Sequence, residues 1–424
     1  MRQTEMRHSL ITAAGIALAL VGLAVVGMGV VKVVRTSQVD GAVALAPSAL
    51  ETQIAQAQAV QAVQPVLPAQ SAQGSAIALP PGFPPLRVAD DNPPTPAGIE
   101  LGRHLFYDVR LSGNGTQSCS SCHIQALAFS DGKALPTGST GEAILRNSPA
   151  LVNVGYNATL TWANPALTTI EQQALIPLFA EFPVELGATG HEDEILARLA
   201  ADADYRARFA AAFPNQSDPV TWHNTVLALA SFVRSLVSGN SAYDRYIAGD
   251  AGALSAAAQR GMQSFFGERF ECHHCHGGFN FSASTVHANS TFGASNFQNN
   301  GLYNVDGAGG YPMGNRGLYE ITGVASDMGR FRPPSLRNVE LTAPYMHDGS
   351  IATLEAVLQH YAQGGTVTAS GPNAGDGSAN PYKSPLVPGF EVTDQEAADL
   401  VAFLKSLTDE DFITNPAFSN PFAP

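Results

Sequence analysis

The stretches that decide this fold are Cys119-Ser-Ser-Cys122-His123 and Cys272-His-His-Cys275-His276. Together they contain all four cysteines of the 424-residue sequence. In C-x-x-C-H, the two thiols bond a c-type haem and the adjacent histidine binds the iron. Zinc-ribbon or thioredoxin-like C-x-x-C motifs would not require a histidine directly after the second cysteine both times. The sequence therefore predicts two covalently attached c-type haems.

The first residues contain a candidate export segment. The stretch from Leu10 to Val31 carries no charge, with Arg2 and Arg7 before it and Lys32 after it. This stretch is long enough to span a bilayer, which takes about 20 apolar residues, whereas a signal-peptide core has about 7–15. Residues 1–35 are therefore either an inner-membrane anchor or a removed signal. Both interpretations predict an exported, periplasmic protein.

Composition divides the remainder of the chain. Residues 36–79 are rich in Ala, Gln, Val, Pro and Ser, which is typical of a low-complexity tether. The part from Pro80 onward is long enough for two domains, and we expect one haem in each of 80–240 and 241–424. The net charge of −14, without a basic stripe, argues against a nucleic-acid partner. It fits an ordinary solvated surface or a basic docking partner.

Helical signals dominate the haem-bearing part, and few strands are apparent. The segments with an apolar helical period or a cap are 169–177, 221–237, 256–266 and 393–407. Pro177 is expected to end the first of them. By contrast, residues 277–335 are dense in Gly, Asn and aromatics without a sustained period, which predicts a long ordered loop. The expected fold is mainly α, with two cytochrome-c-like haem domains and long ordered loops.

The ligand on the opposite face of each haem decides what the iron can do. No His, Met or Cys lies between His123 and Asn147, so we expect the first iron to be five-coordinate or weakly water-bound. His191, further along, begins an acidic helix and is expected to be exposed. Near the second haem, Tyr361 shares a helical face with apolar residues, which predicts an inward side chain. Periodicity alone leaves open whether it is a core residue or an iron ligand.

Further motifs extend over residues 80–410. They are Leu101-Gly-Arg-His-Leu-Phe-Tyr-Asp108, Arg146-Asn-Ser-Pro-Ala-Leu151, Leu160-Thr-Trp-Ala-Asn-Pro165, Pro183-Val-Glu-Leu-Gly187, Arg332-Pro-Pro-Ser-Leu-Arg337, Pro344-Tyr-Met-His-Asp-Gly349 and Thr408-Asp409. In these motifs the chain resembles the bacterial diheme cytochrome c peroxidase and MauG superfamily, and most closely its MbnH-like branch.

The resemblance implies a sixth ligand for the second haem. In this family it stands 14 positions after the histidine of Pro-Tyr-x-His-Asp-Gly, and counting from His347 gives Tyr361. Ordinary peroxidases have Met there. A phenolate stabilises high iron oxidation states, whereas a thioether favours Fe(II) and reversible electron transfer. Met346 is the rival and is interpreted as packing, and Met313 and Met328 are weaker competitors.

The resemblance also implies catalytic roles. Glu185 would be the acid–base group that moves a proton on peroxide at the first haem, and Pro177 would shape the same pocket. Trp162 would lie between the haems and let them share oxidising equivalents. Without the resemblance, Glu185 would be a solvated carboxylate and Trp162 a buried aromatic filling the domain junction.

A structural calcium ion between the domains is a further implication of the resemblance. The matching positions are Asn147, Thr342 and Pro344, which would supply one side-chain amide and backbone carbonyls. Hard oxygen donors of this kind suit Ca²⁺ rather than a transition metal.

The function that the resemblance implies is oxidation of a partner protein. The enzyme would use H₂O₂ to form a high-valent diheme state that oxidises a residue on a secreted partner, converting Trp to kynurenine. Phe270 stands where MauG has an exit tryptophan, which argues against MauG's own substrate. The alternative is a cytochrome c peroxidase that takes electrons from a small cytochrome c or cupredoxin. A third interpretation is a non-catalytic diheme electron carrier.

Overall fold

The computed structural model describes residues 76–291 and 296–423. Its α-helices are α1 (Pro96–Tyr107), α2 (Ile170–Phe179), α3 (Glu192–Ala201), α4 (Ala203–Ala212), α5 (Trp222–Ser235), α6 (Ala242–Ile247), α7 (Ala256–Phe265), α8 (Cys272–His276), α9 (Tyr319–Thr322), α10 (Leu354–Ala362), α11 (Asp394–Lys405) and α12 (Glu410–Thr414). Within these described ranges the only sheet pairs β1 (Val367–Thr368) with β2 (Gly375–Asp376), antiparallel. The predicted mainly helical fold is confirmed.

Polar caps begin the helices where the sequence predicts them. Thr393 forms a capping box with Glu396, whose carboxylate accepts from the Thr393 amide at 2.9 Å. Thr169 opens α2 in the same way. The prediction that Pro177 ends α2 is wrong, because the helix continues to Phe179. The amide of residue 180 still donates to a carbonyl of the last turn, so the missing proline N–H does not stop the helix earlier.

The predicted long ordered loop at 277–335 is confirmed for its described residues. They contain only the short helix α9 and one 3₁₀ turn, Ala325–Asp327. A buried ion pair anchors the chain just beyond this loop. The Arg337 guanidinium donates to both carboxylate oxygens of Asp244, at 2.8 and 3.0 Å, and to the Phe279 carbonyl at 2.6 Å. These contacts fix irregular backbone close to the second haem motif.

Two glycines allow helices to cross at very short distance. A Cβ atom on Gly102 of α1 would lie 1.9 Å from the carbonyl oxygen of Ala228 in α5. A Cβ atom on Gly261 of α7 would lie 1.9 Å from the carbonyl oxygen of Asp399 in α11. Neither crossing has room for a side chain at its glycine.

Gly102→Ala is expected to lower the free energy of unfolding by about 1–3 kcal/mol, because the added methyl forces α1 and α5 apart. Chemical denaturation of the haem-loaded protein would measure the change. Gly98→Ala in the same helix is the matched control, since its Cβ would approach nothing closer than the Thr95 hydroxyl at 3.1 Å. Equal destabilisation by both substitutions would contradict this account of the crossing.

Two main hydrophobic clusters form the core. The first is built on α1 and α5 and includes Phe412 from the C-terminal segment. The second is built on α7, α10 and α11. The C-terminal segment also contacts the first haem motif's neighbourhood, where Gln125 donates to the carbonyl of Asn415 at 2.9 Å. The described residues belong to one compact unit, and the division at residue 240 stays a prediction.

The N-terminal predictions lie mostly outside the described residues. This applies to the signal or anchor at 1–35 and to most of the tether at 36–79. Of the predicted tether, Ile77 and Leu79 pack in a small cluster with Tyr156. Among the helices that the structure describes, none combines the length and apolar character needed to cross a bilayer.

Candidate functional site

The first C-x-x-C-H motif presents its histidine in the tautomer that an iron ligand needs. Nδ1 of His123 lies 2.7 Å from the carbonyl oxygen of Phe129. Phe129 and Ala128 before it both have positive φ, 61° and 52°, in the turn that returns this carbonyl to the imidazole. Because Nδ1–H donates there, Nε2 is left to bind a metal. Burial also lowers the pKa of His123, which favours the neutral ring.

The second motif, on α8, repeats this arrangement. Nδ1 of His276 lies 3.2 Å from the carbonyl oxygen of Phe281 and 3.1 Å from that of Pro334. Phe281 also has a positive φ, 49°. Burial lowers the pKa of His276 to about 4, so this imidazole is neutral too. Both histidines therefore have a carbonyl-oriented ring with Nε2 available.

The second motif opens into a mostly apolar cavity of about 240 Å³, which we call the second cavity. Cys272, Cys275 and His276 line it, and so does Tyr361 from α10. The Asn300 side chain lies near the Tyr361 phenol and acts to lower its pKa. Burial raises the pKa of Tyr361 to about 12, and the nearby Cys275 and Cys272 act in the same direction. The inward orientation predicted for Tyr361 is confirmed.

The three methionines differ in whether they could serve as the second haem's sixth ligand in place of Tyr361. Met346 lines the second cavity, and its sulfur accepts from Asn300 Nδ2 at 3.3 Å. Met313 is 90% exposed and does not line the second cavity, so it is not a candidate ligand. Met328 packs in a neighbouring cluster and is not part of the cavity wall. Asn300 therefore contacts both remaining candidates, the phenol of Tyr361 and the thioether of Met346.

Glu185 lies beside the first haem motif. Its half-buried carboxyl acts electrostatically on both Cys119 and Cys122. Burial raises the pKa of Glu185. The backbone holds the segment in place, because the Ser139 amide donates to the Glu185 carbonyl at 2.8 Å. The structure thus brings the predicted carboxyl to the first haem motif, in a partly buried environment that favours its protonated form more than water does.

Pro177 lies close to this carboxyl, whereas His191 does not take part. The carbonyl of Pro177 accepts from the Leu186 amide at 2.9 Å, so α2 is bonded directly to the residue after Glu185. His191 is exposed at the start of α3 and pairs with Glu194 at 3.2 Å. The predicted exposure of His191 is confirmed.

Trp162 and the three candidate calcium ligands meet at the wall of the second cavity. The cavity is lined by Trp162, Asn147, Thr342 and Pro344. The Trp162 indole donates to the backbone carbonyl of Asn147 at 2.8 Å. The Asn147 side-chain nitrogen donates to the Lys133 carbonyl at 2.7 Å, which turns its amide oxygen the other way. That oxygen is the atom a hard cation would use.

Several known proteins are similar to this chain in sequence, and one solved structure is similar in fold. A family model for di-haem cytochrome c peroxidase matches residues 96–252. MauG of Methylorubrum extorquens is 33% identical over 75% of this chain and 80% of its own length. The cytochrome c peroxidase IdrP1 of Denitromonas iodatirespirans is 36% identical over 80% of this chain and 89% of its own. The chain belongs to the di-haem cytochrome c peroxidase family.

A solved structure in this family is similar over most of the chain. It is a MauG-like protein associated with microbial copper homeostasis, 53% identical, with a TM-score of 0.80. The match covers 81% of this chain and 99% of that one. These similarities confirm two predictions, membership of the diheme cytochrome c peroxidase and MauG superfamily and a haem-dependent oxidoreductase activity.

Membership of a di-haem family implies two haems, and the second cavity fits one. Arg332 is buried in its wall, and no described carboxylate pairs with it. Burial lowers its pKa to about 10, although its Nε donates to the Thr161 carbonyl at 3.1 Å. His347 is also buried there, and its Nε2 has no hydrogen-bond partner. A haem would offer anionic propionates to these groups and a flat apolar ring to the rest of the wall.

Sequence reasoning missed several of these residues. Arg332 and His347 lie inside recognised motifs, which is a signal that they matter, but no role followed from it. Asn300 lies in an irregular segment and carries no signal that would single it out. The carbonyls of Phe129 and Phe281 could not be found from side-chain patterns at all.

Proposed function

We propose that this protein is a periplasmic diheme enzyme of the MauG/MbnH type that uses H₂O₂ to oxidise a residue on a secreted partner protein. The observation that carries the proposal is Tyr361 in the second cavity, beside Cys272 and Cys275. As an iron ligand, a phenolate would stabilise a strongly oxidised centre better than a thioether would. The similarity to a MauG-like protein associated with copper homeostasis supports the same branch.

In this proposal the first haem motif meets the oxidant. Cys119, Cys122 and His123 would hold the first haem, which would supply the iron to which peroxide binds. The Glu185 carboxylate takes the proton from the near oxygen of H₂O₂ and delivers it to the far oxygen. Protonated by Glu185, the far oxygen could leave as water rather than as hydroxide, and this would lower the barrier to O–O cleavage. The raised pKa of Glu185 suits both halves of this transfer.

The proposed target is a tryptophan that becomes kynurenine. Insertion of two oxygen atoms into the indole is a four-electron oxidation, so each kynurenine requires two molecules of H₂O₂. Hydrolysis of the formyl product then releases formate, leaving a net gain of one oxygen and loss of one carbon. The partner is expected to be small and secreted, since the enzyme is proposed to act in the periplasm.

The test combines the haem-loaded protein, H₂O₂ and secreted proteins encoded near its gene. Intact-mass spectrometry should show the kynurenine mass change on one partner. The amount of modified partner should equal half the amount of H₂O₂ consumed. Peptide mapping should place the change on a tryptophan. Rapid peroxide turnover with reduced cytochrome c, and no mass change on any partner, would instead support a plain peroxidase.

One observation favours that second candidate function. The Met346 sulfur lies in the wall of the same cavity and would give a thioether ligand if the haem met it instead of Tyr361. A diheme cytochrome c peroxidase would then take electrons from a small cytochrome c or cupredoxin. Magnetic circular dichroism of the oxidised protein distinguishes the two, because thioether and phenolate ligation give different charge-transfer bands.

Trp162→Phe is expected to slow partner oxidation while leaving the first reaction with H₂O₂ unchanged. Phenylalanine fills most of the space but is much harder to oxidise than indole, so it cannot relay a hole between the two sites. Stopped-flow absorbance and product mass spectrometry measure the two steps separately. Trp222→Phe is the control, because Trp222 packs against Phe179 at the start of α5, outside the second cavity. Equal effects of both substitutions would contradict the relay.

Calcium is the proposed structural ion at Asn147, Thr342 and Pro344. Removing it with a chelator is expected to perturb the second cavity, because Asn147 also accepts the Trp162 hydrogen bond. Partner oxidation should fall, and the haem absorbance spectrum should shift. Re-addition of Ca²⁺, but not Mg²⁺, should restore both, since Mg²⁺ requires shorter bonds and a stricter octahedron. Protein free of calcium by elemental analysis, yet fully active, would contradict this site.

A further inference from the structure

The two variable positions of the second haem motif carry side chains that the haem does not need. They are His273 and His274, whereas the first motif has Ser120 and Ser121 there. Attachment through Cys, Cys and His leaves both middle positions free. The first motif thus has two serines at its middle positions, where the second has two imidazoles that could bind a metal ion. The imidazoles require another explanation.

These two imidazoles converge with a carboxylate. In the described part of the chain, one group of His, Cys, Asp and Glu side chains has all its ligand atoms within 4.8 Å of one another, and it consists of Glu268, His273 and His274. Nε2 of His273 lies 3.6 Å from one Glu268 oxygen, and Nε2 of His274 lies 3.1 Å from the other. The two rings are neighbours, with centroids 4.2 Å apart.

The separation of His273 and Glu268, 3.6 Å, is the one expected between two ligands of a single metal ion, whereas His274 lies at hydrogen-bond distance from Glu268, 3.1 Å, and would have to move slightly away from it when an ion binds. Metal–nitrogen and metal–oxygen bonds of about 2.0–2.2 Å in a tetrahedral site place the ligand atoms about 3.3–3.6 Å apart. Glu271 is available as a fourth donor, because its carboxylate lies 2.9 Å from Nε2 of His274. Glu268 is mostly exposed, while His273 is largely covered, so the group forms a shallow surface site with one fixed imidazole.

The neighbouring cationic side chain and the haem-motif histidine do not occupy this group. Arg269 is directed away from Glu268, since its guanidinium donates to Glu396 of α11 and to the Glu391 carbonyl. His276 points into the second cavity, where its Nδ1 is held by the carbonyls of Phe281 and Pro334. The surface imidazoles and the iron-facing imidazole of α8 are thus separate.

We propose that Glu268, His273, His274 and Glu271 form a binding site for a divalent transition-metal ion, Cu²⁺ or Zn²⁺, at the outer edge of the second haem attachment. Mixed imidazole and carboxylate ligands suit both ions, and the Irving–Williams order gives Cu²⁺ the higher affinity. The site is distinct from the iron positions and from the proposed calcium ligands. It does not depend on the proposed partner oxidation.

The test uses the tag-free, haem-loaded full chain with Cu²⁺ alone and with Zn²⁺ alone. Elemental analysis after dialysis against a weak chelator should find one Cu²⁺ per chain beyond the haem iron. Electron paramagnetic resonance should show hyperfine coupling to two imidazole nitrogens, and Zn²⁺ should displace the copper signal. No retained ion, or a copper spectrum without imidazole nitrogen, would overturn the proposal.

Two variants make the test specific. The double substitution His273→Ser with His274→Ser gives the second motif the middle residues of the first. Glu268→Gln lies outside the motif and leaves haem attachment untouched if the double variant fails to fold. Because loss of outer-shell partners alone weakens metal sites about 10–100-fold, each variant should bind Cu²⁺ at least about tenfold more weakly.

The matched control is His191→Ser. His191 also pairs with a glutamate, at 3.2 Å from Glu194, but among the described residues it belongs to no group of three such side chains that could hold a metal ion. Its loss should leave copper binding unchanged. Haem content measured on every variant verifies that both haems are attached. Unchanged copper affinity in the Glu268 and double variants, or an equal loss with His191→Ser, would refute the site.

Discussion

Glu185→Gln is expected to slow the reaction with H₂O₂ by about 10²–10⁴-fold, the usual contribution of a positioned acid–base group. The amide keeps the size of the side chain but cannot accept the peroxide proton. Both haems should remain attached, since Glu185 is not part of either C-x-x-C-H motif. Stopped-flow absorbance after mixing with H₂O₂ would measure the rate. Glu181→Gln is the control, because Glu181 is an exposed carboxylate in the same segment.

The pH dependence of the same step has a defined direction. The base is the ionised carboxylate, and burial raises the pKa of Glu185 by disfavouring that form. The rate should therefore be high above the raised pKa of Glu185 and fall as the pH drops through it. This fall should occur at a higher pH than it would for an ordinary glutamate, whose pKa is about 4.3. Glu185→Gln should remove this limb of the profile. An unchanged limb in the variant would assign the proton transfer to another group.

Much of the site could be predicted because its information is local in the sequence. Haem attachment depends on five consecutive residues, and helix starts depend on a cap and the third residue after it, as at Thr393 and Thr169. The inward direction of Tyr361 follows from the helical period of its own segment. In each case the deciding contacts are made within about one helical turn, so the pattern is visible without the fold.

The remainder depends on contacts between distant segments. Asn300 reaches Tyr361 and Met346 only because the long loop folds back on α10. Arg332 is buried against Thr161, far away along the chain. No periodicity or spacing rule encodes such pairs, because each partner is polar and isolated in its own irregular segment. The end of α2 differs from the local signal of Pro177, because the amide of residue 180 still donates to a carbonyl of the last turn.

Tyr361→Phe is expected to reduce partner oxidation to the background level and leave the initial reaction with H₂O₂ largely intact. The phenol oxygen is the atom proposed to bind the second iron, and the substitution removes only that oxygen from a side chain in the second cavity. The hydrogen bond from the Asn300 amide to the Met346 sulfur would remain. Product mass spectrometry and rapid absorbance measurements would separate the two effects.

Tyr361→Met is expected to convert the enzyme toward a plain cytochrome c peroxidase. A thioether at this position should raise the reduction potential of the second haem by an appreciable part of the about 0.8 V range that axial ligands span. Turnover with reduced cytochrome c should increase as partner oxidation is lost. Tyr345→Phe is the matched control, because Tyr345 lines the same cavity but donates its hydroxyl to the Val339 carbonyl at 3.2 Å. If Tyr361→Phe and Tyr361→Met both kept the native reduction potential and the native products, Tyr361 would be a packing residue. Met346 would then be the remaining candidate ligand.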